Sequence, residues 1–471
     1  MNQQQAPLYD ALVRHANKYS ADFHVPGHKQ GKIFDEVGRA FYQQVLRLDL
    51  TEIGELDDLH QPDGVISQAQ QLAAEAFSAT ETAFLVGGTT AGNVALIIAT
   101  CQPGDIVIVQ RNSHKSIFNG CMLAGARPIC LQPEFDHATG IYTEVTVETL
   151  RTSLERYPHA KAVFLTSPNY YGAIQPIKKL AHVCNDYDVP LFVDEAHGAH
   201  LSAHPDLPPS ATTCGATAVV QSTHKMLPAM TMGSMLHMNG TAHFREKLKH
   251  ILAMLQSSSP SYPIMASLDL ARRYYATRAR IDIAQSLPRI RRLQDQINQQ
   301  TGWVALSFAD PYKIVLHRQG WSGYEVEARL RAVGIMLELS DTRNALCLLP
   351  LSMNEQQCDT LLTAIQQWCG KEAEPRRDVT HEPLLNLPPI SDPLPISEVA
   401  NECAEWVPLK KARGRIAKQM VLPYPPGIPA ILPGETYTGD VIENLIKLQL
   451  AGARFQGIQG SPFNISVEVV K

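Results

Sequence analysis

From about residue 66 onward, short apolar runs alternate with helical stretches of ten or more residues, and this rhythm restricts the fold more than any other feature of the chain. "ISQAQQLAAEAFSA" has helical periodicity, "TAFLV" reads as a strand, and "TTAGNVALIIATC" returns to helix after Gly87 and Gly88. "DIVIVQ", "RPICLQ", "KAVFLTSP", "PLFVDEAH" and "ATAVVQSTHK" read as further strands, with "HKSIFNGCMLAG" and "IKKLAHVCNDYD" as helices among them. Short buried strands joined by helical crossovers imply an α/β fold whose mainly parallel sheet is covered on both faces. Ligands of such sheets bind outside the carboxyl ends of the strands. Five polar clusters fall at those ends: Gly87–Asn93, Asn112–Ser116, Thr166–Tyr171, Asp194–His197 and Ser222–Lys225.

At 471 residues the chain is too long for one small core, and two or three domains are expected. Residues 1–60 form an arm containing "DFHVPGHKQGK", too irregular for a core of its own. A large domain follows at 61–300, closing in long helices from about residue 245. A small α/β domain is expected at 301–371, a linker rich in proline and charge at 372–392, and a C-terminal domain at 393–471. A net charge of −5 indicates no nucleic-acid footprint. The nine cysteines are scattered and form no CxxC pair, which suggests neither a disulfide framework nor a zinc site but a reduced, cytoplasmic protein. "MNQQQAPLYD" lacks a secretory pattern, and the longest uncharged run, Thr82–Gly104, is broken by "GGTTAGN" and Pro103, so no membrane span is expected.

The chemistry concentrates in a few short stretches. Lys225 in "VVQSTHKMLPAM" meets no further charge until Arg245. A lysine in apolar sequence loses hydration and its pKa falls, which prepares an amine for imine chemistry; the alternative is a solvated lysine in a loop. "FLVGGTTAGN" sets glycines and threonines between strand and helix, either an anion site or a plain turn. It is not a Walker loop, since no Gly-Lys-Ser/Thr follows. Asp194 and Glu195 end an apolar strand, where a buried carboxylate needs a cation: a protonated pyridine nitrogen or a structural arginine. His197 and His200 lie three apart without an evident third ligand, so no metal is expected. His114 follows a strand, as a ring to stack on a planar cofactor or as a helix-capping surface imidazole.

Taken jointly, a lysine, an acid, an anion cup and a stacking ring make a pyridoxal 5′-phosphate site, with the cup near residue 88, the ring at 114, the acid at 194 and the lysine at 225. The order "FHVPGHKQG", "LDDLH", "GGTTAGN", "NSHKS", "VDEAHGAH", "QSTHK", "SSSPSYPIMASLDLAR" and "YPPGIPAILPGE" resembles the Orn/Lys/Arg decarboxylase family of fold-type-I pyridoxal-phosphate enzymes. The resemblance spans nearly the whole chain, in the short form without an N-terminal wing domain. It implies Lys225 as the Schiff-base lysine, Asp194 as partner of the pyridine nitrogen, and His114 as the stacking ring. It places Gly88, Thr89, Thr90, Ser222 and His224 on the phosphate side and His197 among the cofactor contacts. Lys225 or His224 would return the proton to Cα. "SSSPSYP" resembles a segment near the subunit boundary, so a homodimer or higher homo-oligomer with shared sites is implied.

The activity implied is α-decarboxylation of a basic L-amino acid to the polyamine-pathway amine and CO2, with arginine or lysine favoured and ornithine possible. A transaminase or lyase on the same fold, or a non-catalytic relative, are the alternatives. The distal cation of such a substrate calls for an acidic partner. Glu435, Glu338 and Asp341 are the candidates, with Asp57 and Asp58 in the arm behind them. Five prolines between Leu422 and Glu435 make a stiff segment suited to a pocket wall.

Overall fold

The computed structural model describes residues 1–19, 21–369, 387–423, 427–461 and 464–471. Residues 372–386 of the expected linker and 424–426 of the proline-rich stretch lie outside the described residues. The main strands are β1 (Glu81–Leu85), β2 (Ile106–Gln110), β3 (Arg127–Leu131), β4 (Val163–Thr166), β5 (Leu191–Asp194), β6 (Ala218–Gln221) and β7 (Ser234–Met238). Their contacts sort the chain into two units, Met1–Ala99 with Leu191–Ile281 and Thr100–Pro190 with Asp282–Lys471.

In the first unit the strand order is β1-β7-β6-β5. β5 and β6 run parallel, while β7 is antiparallel to both β6 and β1. Every residue of β5, β6 and β7 is buried. Continuous burial instead of alternation is what a sheet covered on both faces imposes. The antiparallel β7 has no counterpart in the strands read from sequence, because "SMLHM" between two glycines carries neither β-branched residues nor alternation. Helix α1 (Pro7–Lys18) buries Leu8, Ala11, Leu12 and His15, one face at helical spacing. Its first turn is tied down by the buried Asp269, whose Oδ2 accepts the N–H of Leu8 at 3.0 Å. Arg272 pairs with Asp269 and donates to the carbonyls of Gln3 and Gln5.

Helix α2 (Val65–Ala76) precedes β1, and helix α3 (Gly88–Thr100) follows it. Gly88, at φ +71°, supplies the left-handed residue at the start of α3. Gly92 is needed for a different reason. A Cβ there would lie 2.8 Å from Val220 Cγ1 and 2.9 Å from Leu85 Cδ1, so its absence lets α3 press directly on β1 and β6.

The second unit contains β4-β2-β3, all parallel. Helix α4 (Lys115–Ala124) follows β2 and stops at Gly125 in the left-handed conformation. The same unit holds a four-stranded antiparallel sheet, with β8 (Val304–Leu306), β9 (Lys313–His317), β10 (Leu339–Ser340) and β11 (Asn344–Leu348) in the order β8-β9-β11-β10. It also holds a C-terminal sheet, β12 (Ala404–Pro408), β13 (Ile458–Ser461) and β14 (Asn464–Val470), with β14 in the centre. Its core gathers Val421, Ile431, Tyr437 and Val467. The architecture is α/β, a mainly parallel sheet flanked by helices with smaller sheets after it.

Candidate functional site

Lys225 sits in a short helical turn, Thr223–Met226, directly after β6. Its Nζ lies 2.9 Å from Nε2 of the buried His197. The chain then folds back, and the carbonyl of Gly233 meets His224 Nδ1 at 2.9 Å. Burial lowers the His224 pKa against the opposing pull of that carbonyl, and the Lys225 charge lowers it further, which favours the neutral ring.

The consecutive acids at the end of β5 have separate surroundings. Asp194, 2% exposed, accepts Asn93 Nδ2 at 2.9 Å and the N–H of Ala196 at 3.1 Å. Among the described residues no arginine or lysine pairs with it. Glu195 accepts Ser210 Oγ at 2.6 Å, the N–H of Ala211 at 2.8 Å and Gln221 Nε2 at 2.7 Å. Burial raises Glu195 to about 7 although all three donors oppose the rise. Gln221 Oε1 faces His237 Nε2 at 3.1 Å, and Thr82 Oγ1 faces His237 Nδ1 at 2.8 Å. This makes a buried polar chain from Thr82 to Glu195.

The start of α3 forms a cup. Gly88 and Thr89 are half-buried and Thr90 is exposed. Thr89 Oγ1 lies 3.2 Å from Ser222 Oγ at the end of β6. Thr223 is fully buried, and its hydroxyl has no hydrogen-bond partner among the described residues. Backbone N–H groups of a helix start beside hydroxyls suit an anion. The first unit thus brings together Lys225, His197, Asp194, Thr89 and Ser222. No group of three His, Cys, Asp or Glu side chains among the described residues is placed to hold a metal, and none of the described helices is long and apolar enough to cross a membrane.

In the second unit His114 caps α4: its Nδ1 accepts the N–H of Ser116 at 3.3 Å and lies 2.9 Å from Ser116 Oγ. Glu435 Oε2 accepts Arg111 Nη2 at 3.0 Å and the N–H of Leu432 at 2.7 Å. That is the arrangement of a structural carboxylate, since Arg111 is itself nearly buried. Asp341 accepts the Tyr171 hydroxyl and the N–H groups of Arg343 and Asn344, both at 2.7 Å, and so organises the turn before β11. Glu338 is exposed and lines a cavity of about 500 Å³ with Met336, Leu349 and Met353. In the arm, Asp57 and Asp58 both accept backbone N–H groups.

Residues 6–317 match the family model described as Orn/Lys/Arg decarboxylase, major domain, and residues 394–461 match the C-terminal domain of the same family. An uncharacterized protein of Bacillus subtilis (strain 168), YaaO, is 39% identical, covering 96% of both chains. An arginine decarboxylase of the same organism is 37% identical over 100% of this chain and 99% of its own. Among solved structures, the Francisella novicida lysine decarboxylase LdcF superposes with a TM-score of 0.84 at 20% identity, covering 99% of this chain and 81% of that one.

Proposed function

The chain belongs to the Orn/Lys/Arg decarboxylase family, and from that premise we propose that it is a carboxy-lyase releasing CO2 from a basic L-amino acid, with pyridoxal 5′-phosphate as cofactor. Arginine and lysine stand ahead of ornithine, and the end-to-end likeness to an arginine decarboxylase supports testing arginine first. One observation carries the cofactor reading. Asp194 is buried, yet its protein partners are neutral donors only, so its charge is left for a cation to balance. A protonated pyridine nitrogen fits that requirement, and the α3 start with Thr89, Ser222 and the buried Thr223 hydroxyl fits a phosphate.

When bound, the cofactor supplies an electron sink for the pair left by the departing carboxylate. The remaining work falls to residues of this chain. Lys225 would offer the amine that holds the cofactor and would deliver the proton that Cα takes up once the carboxylate has left. His197, 2.9 Å away, fixes the lysine Nζ. Asp194 stabilises positive charge at the ring nitrogen, and His114 supplies the stacking ring. Gly88, Thr89, Thr90, Ser222 and His224 hold the phosphate, and His224, favoured neutral, is a second proton carrier. For the distal cation, Glu338, Glu435 and Asp341 are the carboxylates to test. Glu338 leads, because no described residue binds its side chain.

A homo-oligomer belongs to the same proposal. Val37 and Phe41, both 88% exposed, share one face of the helix Glu36–Leu46, and Phe23 elsewhere in the arm is 97% exposed, apolar surface of the kind that a second copy covers. The two phenylalanines alone offer roughly 300–400 Å², a large share of the roughly 800 Å² per partner of a stable interface. A cytoplasmic location and the divisions 1–60, 61–300, 301–371, 372–392 and 393–471 complete it. The test is release of CO2 and amine from arginine, lysine and ornithine by protein supplied with pyridoxal 5′-phosphate. Turnover of one of the three is expected, with borohydride fixing the cofactor on a peptide containing Lys225. No release from any of them, or a label elsewhere, overturns the assignment.

A further inference from the structure

Thr89 and Asn93 stand four residues apart on α3 and therefore share one face of it. Each reaches a different strand end. Thr89 meets Ser222 beyond β6, and Asn93 donates to Asp194 Oδ2 at 2.9 Å at the end of β5. Asn93 has no solvent exposure, and Val94, Ala95, Leu96 and Ile97 after it are buried and apolar. An asparagine there is a poor helix former and must be removed from water, so its presence needs a compensating contact. The residue before it lies tight against the sheet: at Gly92 even a Cβ would collide with Val220 and Leu85. The amide of Asn93 is thereby held at a fixed height above the strand ends.

We infer that Asn93 is a positioning residue for Asp194. It ties the acid to the same helix that carries the phosphate cup, so the two ends of the cofactor are set by one rigid element. Its donated hydrogen bond also fixes which way the carboxylate of Asp194 faces. Without it, only the N–H of Ala196 among the described residues still donates to Asp194. The acid then turns more freely and faces the ring nitrogen less squarely. The inference rests on the pyridoxal-phosphate reading of the site.

The test uses holoenzyme reconstituted with pyridoxal 5′-phosphate carrying ¹⁵N in the ring. The readouts are the ring-nitrogen shift against pH, kcat and KM against pH, and the melting temperature. In Asn93→Ala, kcat falls roughly 10- to 100-fold, as for loss of a hydrogen bond to a charged group. KM stays within about threefold, and the ring nitrogen loses its proton at lower pH than in the wild type. Asn93→Asp sets a second carboxyl against Asp194. Its ring-nitrogen signal and kcat recover as pH falls, when one proton bridges the two acids. Should Asn93→Ala not fold, Asn93→Ser, which keeps a shorter donor, gives the same comparison with a smaller loss. Variants that melt earlier but keep the wild-type ring-nitrogen titration, or an Asn93→Asp profile that does not recover in acid, overturn the inference. A wild type that gives no bound ring-nitrogen signal removes the cofactor reading itself, which separates the two failures.

Discussion

The strand ends around Asp194 and the arm around the helix Glu36–Leu46 belong to the same unit but are built on opposite terms. At the strand ends polar groups are buried and most are answered by the chain itself, with the Asp194 charge and the Thr223 hydroxyl left over. Glu195, Gln221, His237 and Thr82 form one connected chain, and Asp194 is held by Asn93. In the arm the apolar groups are outside. Val37, Phe41 and Val45 recur every four residues on an exposed helix face, and only Leu46 of that helix is buried. A region whose interactions close within one chain keeps its geometry alone. A region with an open apolar face obtains its stability from whatever covers it. The fold around the strand ends is therefore expected to survive changes that unmake the assembly contact, and the reverse.

Lys225→Ala is the largest test of that separation. Activity should fall by roughly 10²–10⁴-fold or more, since both the anchoring amine and a proton carrier are lost. The melting temperature should stay near wild type, because Lys225 is only partly buried. Amine release and a thermal melt on one preparation check both. A protein that loses stability in proportion to activity would show that the lysine is part of the scaffold.

The double substitution Phe23→Ser and Phe41→Ser addresses the other region. Each removes a large exposed apolar side chain, worth about 1–3 kcal/mol if it is buried on assembly. Self-association measured by sedimentation should weaken at least tenfold, while the unfolding midpoint of the dissociated chain stays put. Unchanged association would mean that another surface joins the copies.

The same contrast explains what could be read from the sequence. Strands β1 to β6, the turn holding Lys225 and the acid at the end of β5 carry local signals: a short apolar run, then small and polar residues at its end. The partners of those residues carry none. Asn93 is 101 residues from Asp194, and Arg111 is 324 from Glu435. Such pairs are set by how strands and helices stack, not by spacing along the chain. Asn93 did leave a trace, as a lone amide at the head of the apolar helix "GNVALIIAT". Glu435 is the opposite case. The stiff proline-rich segment before it marks a carboxylate suited to a pocket wall, and in the folded chain Arg111 pairs with that carboxylate. β7 was illegible because methionine and histidine serve a buried antiparallel strand without the β-branched signature.

Glu195→Gln sharpens the account of the buried chain through pH. Burial holds native Glu195 near 7, against 4.5 for a free glutamate, and holds His237 near 3, against 6.5. Between about pH 4.5 and 6.5 the native glutamate binds a proton that the unfolded one has lost, so stability falls as pH rises. In the same window the unfolded histidine binds a proton that the native one lacks, so stability rises with pH. Each slope approaches about 1.4 kcal/mol per pH unit, and the two oppose. Removing the glutamate leaves the histidine slope alone. Urea unfolding at pH 4.5, 5.5 and 6.5 should show the variant gaining stability with pH relative to wild type by about 1 kcal/mol per unit. Parallel lines would mean that Glu195 keeps one protonation state across the window.

The smallest effect is expected where the arm joins the core. Helix α2 begins after Gly64, which has no side chain to cap it. Asp57 takes that role from seven residues upstream, accepting the N–H of Gly64 at 2.8 Å, of Ile66 at 2.9 Å and of Ser67 at 3.2 Å on Oδ2. The pairing also explains the glycine, since a Cβ on Gly64 would lie 3.3 Å from Asp57 Cγ. Burial raises the Asp57 pKa, but backbone N–H groups of Asp63, Asp58, Ser67 and Gly64 outweigh it and hold the carboxyl below its ordinary value. A depressed carboxylate contributes stability above its unfolded pKa and loses it as pH falls through the folded one. Asp57→Ala should therefore cost about 0.5–2 kcal/mol at neutral pH, the range of a lost helix cap. The gap between wild type and variant should begin to close below about pH 4, the unfolded value, and finish closing as pH falls through the lower folded one. Amide exchange across α2, followed at pH 7 and at the lowest pH where the protein stays folded, reads both. A gap that stays constant with pH would mean that the aspartate acts through its shape in the turn and not through its charge.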